Sequence, residues 1–324
     1  MKIGVVINPN SGRGKMDEDL LKTFALKVKD QELYSTLSTF IHIKDLLKIK
    51  VIGSEIIYGD YRDSVNAGKE LSCGGVDLIV FFGGDGTAVD IILGMKEENK
   101  LIPLAGVATG TACCGPFITF RSVEDLINFD FTNINPTWVR GLNVYSNNQF
   151  LGTSFIDVVI GDTFVSTIDG EKRTVDSYNF FYNNKRIIKN PGYIQLAHSS
   201  VVVNQKNIPS GKKVSQIIIS PFSNREKNYY LSKAVTGLFC HLPYSTKSYA
   251  MIISSEPIIF FMQDNSLPYC SELKQIIFSQ TDLIYISNFD AFCILDGNPK
   301  INLKNSEVCI KGEEHSGLTI KLEV

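Results

Sequence analysis

The 324-residue sequence contains no run of about 18 apolar residues, so a membrane-spanning helix is not expected. Neither sign of charge is in excess: 32 Lys and Arg stand against 34 Asp and Glu, a formal net charge of −2. General nucleic-acid binding, which usually rests on a basic face, is therefore not expected. The four histidines, His42, His198, His241 and His315, are far apart, and the seven cysteines include no C-x-x-C pair. Neither pattern suits a structural zinc site, and no metal-ligating residue is assigned. An odd cysteine count is a poor disulfide framework and suits a reducing compartment, where these residues read as small buried hydrophobes. Residues 1–15 lack the apolar stretch and cleavage site of a secretory signal, so a cytoplasmic location is expected.

With 44% apolar and 20% charged residues the chain can bury full cores, and its length suits two domains. Residues 1–125 alternate β-branched runs, at 2–8, 51–58, 77–82 and 102–107, with helical patterns at 16–28, 61–71, 87–95 and 122–129. That alternation predicts parallel crossovers and a Rossmann-like α/β layer. Ser122 with Asp125 three places on reads as a capping box. From about Trp138 the helical period fades. Short β-rich runs at 139–145, 150–160, 177–182, 199–203, 213–220 and 249–253 are separated by turn residues and predict an all-β sandwich. The expected division is residues 1–135 and 136–324, with a hinge at 133–137.

Three loops follow strands of the first half and can converge beyond the carboxyl ends of a parallel sheet. The first is Asn8-Pro9-Asn10-Ser11-Gly12-Arg13-Gly14-Lys15. Its glycines let amide N–H groups turn inward, and it leads into a helix whose N-terminus favours anions. It is not a Walker A loop, because Pro9 stands where the first Gly belongs and Met16 where Ser or Thr belongs. The second, Gly83-Gly84-Asp85-Gly86-Thr87, is the most specific signal in the chain. Three glycines in four places leave the backbone bare for a ligand, while a turn needs only one. Asp85 is the sole charge among them, able to take a proton from a hydroxyl or to orient nucleotide-bound Mg²⁺. Thr87 can cap the next helix or meet a phosphate, and capping is the simpler assignment. The third, residues 106–116, offers Thr109, Gly110 and Thr111 to phosphate or ribose; its Cys113-Cys114 pair reads as packing.

The Gly-Gly-Asp-Gly-Thr motif, the Asn-Pro-x-Ser-Gly loop and the later Gly-Thr loop resemble the NAD kinase, diacylglycerol kinase and sphingosine kinase superfamily. The order of an α/β domain, a β-sandwich and a late Asp296-Gly297 turn agrees, and residues 80–110 with 152–161 look closest to the NAD-kinase-like branch associated with acetoin catabolism. The resemblance implies ATP-dependent phosphorylation of an alcohol with Mg²⁺, most simply NAD to NADP. It places Gly83, Gly84, Gly86 and Thr87 against the nucleotide phosphates, with Asn8, Ser11, Gly12, Thr109, Gly110 and Thr111 in the flanking loops. Asp85 would activate the accepting hydroxyl. Asp157, inside an apolar run, is a candidate acceptor contact.

The chain departs from NAD kinases in three places, one of them the helix start made unusual by Cys113, Cys114 and Pro116. Ala112 stands where Asn usually follows the Gly-Thr pair, and residues 138–290 hold no Asn-Glu pair. Two other readings therefore stand beside NAD kinase: a kinase for a lipid or other small alcohol, and a nucleotide-binding regulator without turnover. The aromatic runs Phe180-Phe181-Tyr182 and Phe260-Phe261 could line a lipid groove, although core packing is the simpler expectation. Expected partners are a nucleotide and a small-molecule substrate, with no nucleic acid and no integral membrane contact. Members of the resembling families are often dimers or tetramers, so a homo-oligomer is compatible with the resemblance.

Overall fold

The structure is a computed structural model that describes residues 1–9, 11, 18–109, 113, 115–168, 171–211, 213–221, 249–258 and 272–322. It divides into two compact units, Met1–Val139 with His315–Val324, and Arg140–Glu314.

In the first unit the described elements are β1 (Lys2–Ile7), α1 (Glu18–Lys27), β2 (Glu32–Ser35), α2 (Leu37–Ile43), β3 (Lys50–Val51), α3 (Tyr61–Cys73), β4 (Leu78–Gly83), α4 (Asp85–Glu97), β5 (Leu104–Ala108), β6 (Ile118–Phe120) and α5 (Val123–Asn128). β3, β2, β1, β4 and β5 lie side by side in that order, all parallel, and β6 runs parallel along β5. Every residue of β4 is buried, as befits a strand covered on both faces. One face packs Phe24 of α1 edge-on against Phe82, with ring centroids 5.4 Å apart, and also contacts Phe131. Helix ends follow their local chemistry. Asp60 caps α3 by accepting from Arg62 N, and Ser122 with Asp125 forms the capping box of α5.

The second unit is mostly antiparallel. Its elements are β7 (Pro136–Ser146), which enters from the first unit, β8 (Gln149–Ser154), β9 (Val158–Gly161), β10 (Thr163–Ile168), β11 (Glu171–Asp176), α6 (Ser177–Asn183), β12 (Ser200–Val203), β13 (Lys206–Asn207), β14 (Gln216–Ser220), β15 (Tyr249–Ser254), β16 (Leu273–Phe278), β17 (Leu283–Ser287), β18 (Phe292–Leu295), β19 (Asn298–Asn302) and β20 (Glu307–Ile320), which leads back to the first unit. β16, β15, β14, β9, β18 and β19 form one six-stranded sheet. β12 and β17 pair with each other, and β17 pairs with the start of β20. Ile217, Met251 and Cys293 of the six-stranded sheet share one core with Val201, Ile284 and Ile310 of these other strands, which is sandwich packing. The two-part fold class read from the sequence is therefore the one observed.

Several expectations need correction. Residues 177–182 form α6 instead of a strand, because Asp176 caps the helix start through Asn179 N and Asn184 closes it in the left-handed conformation. The strand expected at 51–58 stops at Val51, and Gly53 at φ +81° lies two residues beyond it. The run 150–160 is split into β8 and β9. The last ten residues belong with the first unit, since Thr319 pairs with Leu104 of β5, and the first boundary falls after Val139. In the aromatic run, Phe180 packs on Phe164, but Phe181 and Tyr182 stay exposed, so core packing accounts for only one of the three.

Candidate functional site

The sequence after β4 turns directly into a helix. Gly83 ends the strand, Gly84 is the extended N-cap of α4, and Asp85, Gly86 and Thr87 make its first turn. Asp85 is half-buried and Gly86 is exposed. An acidic side chain at the start of a 13-residue helix sits in the favourable field of its N-terminus, worth about 0.3–1 kcal/mol. A helix start also leaves its first amides without partners inside the helix, which is the basis of anion binding at such places.

The other two loops are tied to this turn by specific bonds. From the first loop, Asn8 N donates to Phe82 O at 3.0 Å, and Asn8 Nδ2 donates to Thr87 Oγ1 at 2.9 Å. Ser11 N in turn donates to Asn8 O at 3.1 Å. From the third loop, Thr109 N donates to Gly83 O at 3.3 Å, and Gly115 N donates to Asp85 Oδ1 at 2.8 Å. Arg121 donates through Nη1 to the carbonyl of Cys113 and so braces the same loop. The carboxyl ends of β1, β4 and β5 thus hold Asn8, Ser11, Gly83, Asp85, Thr87 and Thr109 together. Gly12, Gly110 and Thr111 lie outside the described residues, as do Arg13, Gly14, Lys15, Ala112 and Cys114.

The glycines of the motif are not equivalent. A Cβ on Gly83 would lie 2.5 Å from Thr87 Oγ1, so this position must stay bare to accommodate the protein's own threonine. A Cβ on Gly86 meets no atom of the described residues within 4 Å, and among them that backbone stands open. Thr87 does not cap α4: the N-cap is Gly84, which has no side chain to offer, and the Thr87 hydroxyl accepts from Asn8 instead. It stands at the third helical position, too far along to act as the cap.

Asp157 lies in the second unit, half-buried, and its position is set by Asp296. The Asp296 carboxylate accepts from Ser154 Oγ at 2.6 Å, Phe155 N at 2.9 Å, and Ile156 N and Asp157 N at 3.0 Å each. Asp296 N donates back to Asp157 O at 3.0 Å. These bonds take up the amides between β8 and β9 and explain why the apolar run breaks there. Asp296 and Gly297, at φ +46° and +79°, form the two-residue turn joining β18 to β19. Burial pushes the Asp296 carboxyl above its usual pKa, against the pull of its four donors. The sequence marked Asp296-Gly297 only as a turn. Likewise Gly115 and Arg121 carried no signal, since a backbone donor and a carbonyl brace leave no motif.

Among the described residues no group of three or more His, Cys, Asp or Glu side chains is placed to hold a metal ion. The two described cavities lie elsewhere: about 460 Å³ beside Asp125, Asn133 and Lys321 in the first unit, and about 360 Å³ beside Asp162, Asp176 and Lys189 in the second. No described helix is long and apolar enough to cross a membrane.

Residues 2–113 match the family model of the diacylglycerol kinase catalytic domain. An uncharacterized protein of Archaeoglobus fulgidus is 31% identical over 188 residues, which are 58% of this chain and 57% of that protein. The chain thus matches little more than half the length of this relative. Among solved structures, a diacylglycerol kinase from Bacillus anthracis superposes with a TM-score of 0.53 at 11% identity, covering 99% of this chain and 97% of that one. An NAD kinase from Archaeoglobus fulgidus in complex with ATP superposes with a TM-score of 0.50 at 13% identity, covering 100% and 94%. At such identities the superpositions speak for the fold.

Proposed function

We propose, from the premise that this chain fits the NAD kinase and diacylglycerol kinase superfamily, that it is an ATP-dependent kinase for a hydroxyl group. The observation that carries this reading is Asp85. It stands on the first turn of α4, its carboxylate is held by Gly115 N, and the loops after β1, β4 and β5 gather around it. In this reading the backbone around Gly84 and Gly86 takes the nucleotide phosphates, flanked by Asn8, Ser11, Gly12, Thr109, Gly110 and Thr111. Asp85 accepts the proton of the acceptor hydroxyl, whose oxygen bonds to the γ-phosphorus as the bond to the β-phosphate oxygen breaks and ADP leaves.

Mg²⁺ is commonly held by one or two carboxylates together with substrate phosphates. An ion that arrives on the nucleotide would be held chiefly by its phosphates, so no protein ligand is assigned to it and Asp85 keeps the role of proton acceptor. When bound, the ion would neutralise charge developing on the transferred phosphoryl group.

NAD is the first acceptor to test, with Asp157 of the second unit as the residue proposed to contact it. A membrane alcohol is the second reading, favoured by the family of the domain that matches residues 2–113. The experiment is ADP release from Mg-ATP against NAD, NADH, polyols and lipid alcohols, run beside Asp85→Ala. The proposal expects one acceptor class to stimulate release and the variant to lose it. Equal release by both proteins removes Asp85 from the mechanism, and nucleotide binding without release by any acceptor leaves a regulator.

A further inference from the structure

The loop after β5 reaches the site through Cys113 and Gly115, and both are held from elsewhere in the first unit. Cys113 stands at φ +21°, a backbone conformation that residues with a Cβ seldom adopt. Such a residue keeps its conformation only where its surroundings enforce it. Two contacts do so here: Cys113 Sγ donates to Gly83 O at 3.7 Å, and the Arg121 guanidinium donates to Cys113 O. The far side of the loop is bracketed as well. Ile118 N donates to Gly115 O at 3.3 Å, and the buried Thr319 hydroxyl donates to Pro116 O at 2.9 Å.

Arg121 acts from a rigid platform. It follows β6 directly, and Phe120 before it is fully buried. Arg121 N donates to Asp125 Oδ2 at 2.7 Å, the carboxylate that also closes the capping box of α5. Its main chain is thereby tied to a strand on one side and to a helix start on the other. A guanidinium keeps its charge and presents its donors in a fixed planar fork, so the Cys113 carbonyl has a donor of set direction.

The consequence falls on Asp85. Two residues beyond the carbonyl that Arg121 holds, Gly115 N donates to Asp85 Oδ1 at 2.8 Å. An amide on a carboxylate oxygen is a charge-assisted bond with a preferred angle. It therefore sets the orientation of the carboxylate on the first turn of α4.

We propose that Arg121 is a positioning residue for Asp85: by holding the Cys113 carbonyl it keeps the Gly115 amide on the Asp85 carboxylate. The proposal rests on the reading of Asp85 as proton acceptor, but its first readout needs no turnover.

The sequence contains Cys-Gly at two places, Cys73-Gly74 and Cys114-Gly115. Carbon-13 at the cysteine carbonyl with nitrogen-15 at glycine therefore gives the full chain two amide signals in a carbonyl-filtered NMR spectrum. Gly74 N, which donates to Glu70 O at 2.8 Å, is the internal reference. Asp85→Asn makes the acceptor neutral and identifies the Gly115 signal by moving it upfield. Arg121→Met should move the Gly115 proton upfield too, with Gly74 in place. Arg121→Lys keeps the charge but loses the fork and some reach, and should give an intermediate position. With the acceptor that stimulates wild type, kcat for ADP release should fall roughly 10- to 100-fold in Arg121→Met, more than KM for Mg-ATP rises. Asp60→Ala uncaps α3 and is the destabilised control, which should leave the Gly115 signal unmoved.

A Gly115 signal that stays in place in Arg121→Met overturns the proposal, as does one that Asp60→Ala shifts equally, or a shift without loss of kcat. Should Arg121→Met not fold, Arg121→Lys carries the test, and a signal at the wild-type position overturns it. If no acceptor stimulates ADP release while the Gly115 signal responds as expected, Arg121 still holds Asp85 and the kinase reading alone falls.

Discussion

Asn8 donates its side-chain amide to the hydroxyl of Thr87 at 2.9 Å, across 79 residues of sequence. The bond fastens the loop after β1 to the first turn of α4. It also occupies the face against which Gly83 must remain without a side chain. Asn8→Ala removes this donor and loosens the first loop, which keeps its backbone bond to Phe82 O. A hydrogen bond of this kind contributes about 1 kcal/mol net, so urea denaturation should show a loss near that size. Calorimetric titration with Mg-ATP should show a weaker affinity, by about fivefold if the loop holds the nucleotide. An unchanged affinity with the stability loss intact would make Asn8 a structural residue only.

Asp85→Asn keeps the shape and the bond from Gly115 N but removes the negative charge. Stability should stay within about 1 kcal/mol of wild type, because the amide oxygen still accepts. Turnover should fall by at least about a hundredfold, the usual size of a general-base contribution. ADP release under saturating Mg-ATP and acceptor measures it. Retained turnover would place the proton elsewhere.

The glycines of α4 separate folding from function. A Cβ on Gly94 would lie 1.9 Å from Val65 O, and one on Gly68 of α3 would lie 2.0 Å from Ile91 O. Each glycine admits the backbone of the other helix. Gly94→Ala should therefore cost more than about 2 kcal/mol, since a backbone collision cannot be relieved by a rotamer. Gly86→Ala meets no atom of the described residues within 4 Å, and alanine in a helix is favoured over glycine by about 1 kcal/mol. This variant should be as stable as wild type or more so, and should bind ATP less well. Thermal unfolding and ATP titration of both variants decide the matter.

The parallel half was readable because its signals are local and redundant. β4 is apolar throughout, α5 announces its start with Ser122 and Asp125, and the glycine motif marks the turn between β4 and α4. β2 and α2 were missed because each is short: four and seven residues leave too little periodicity to detect. The break at residues 155–157 was illegible for another reason. Its cause is a carboxylate about 140 residues away, at Asp296, and the local run of β-branched and aromatic residues gives no sign of it. In the site itself, the side chains were legible as a motif. The partners Gly115 N and the Cys113 carbonyl were not, because they act through backbone atoms that any residue supplies.

That distant carboxylate gives a sharp test. Asp296→Asn presents one acceptor where two oxygens served Ser154, Phe155, Ile156 and Asp157. The NH₂ group then faces donors, and at least one buried amide loses its partner. The expected cost is about 1–3 kcal/mol in urea denaturation. Asp296→Ala should cost more, because all four donors are stranded. Wild-type stability in both variants would mean that the chain between β8 and β9 holds its shape without this anchor.

The ion cluster of the second unit predicts a pH dependence with a defined sign. Burial pushes the Asp176 carboxyl up, but hydrogen bonds from Asn179 and Lys189 and the lysine charge outweigh it, so its pKa lies below the usual value. A carboxyl depressed in the folded state stabilises above its unfolded value of about 3.9, and that contribution is lost as pH falls through the folded value. Lys189 is the mirror case. Burial lowers its pKa, the two carboxylates raise it further, and the net is upward. Its contribution is complete below the unfolded lysine value of about 10.4 and is lost as pH rises through the folded one. Lys189→Met removes the cation from both carboxylates but leaves their bonds from Asn179 and Gly192, and because the lysine is partly exposed the penalty at pH 7 should be only about 1–2 kcal/mol. Urea denaturation of wild type and variant between pH 3 and 9 should show that difference constant from about pH 5 to 9 and shrinking as pH falls below about 3.9 toward the depressed Asp176 value. A difference that stays the same at pH 3 would mean that the lysine contributes through the packing of its methylene chain and not through its charge.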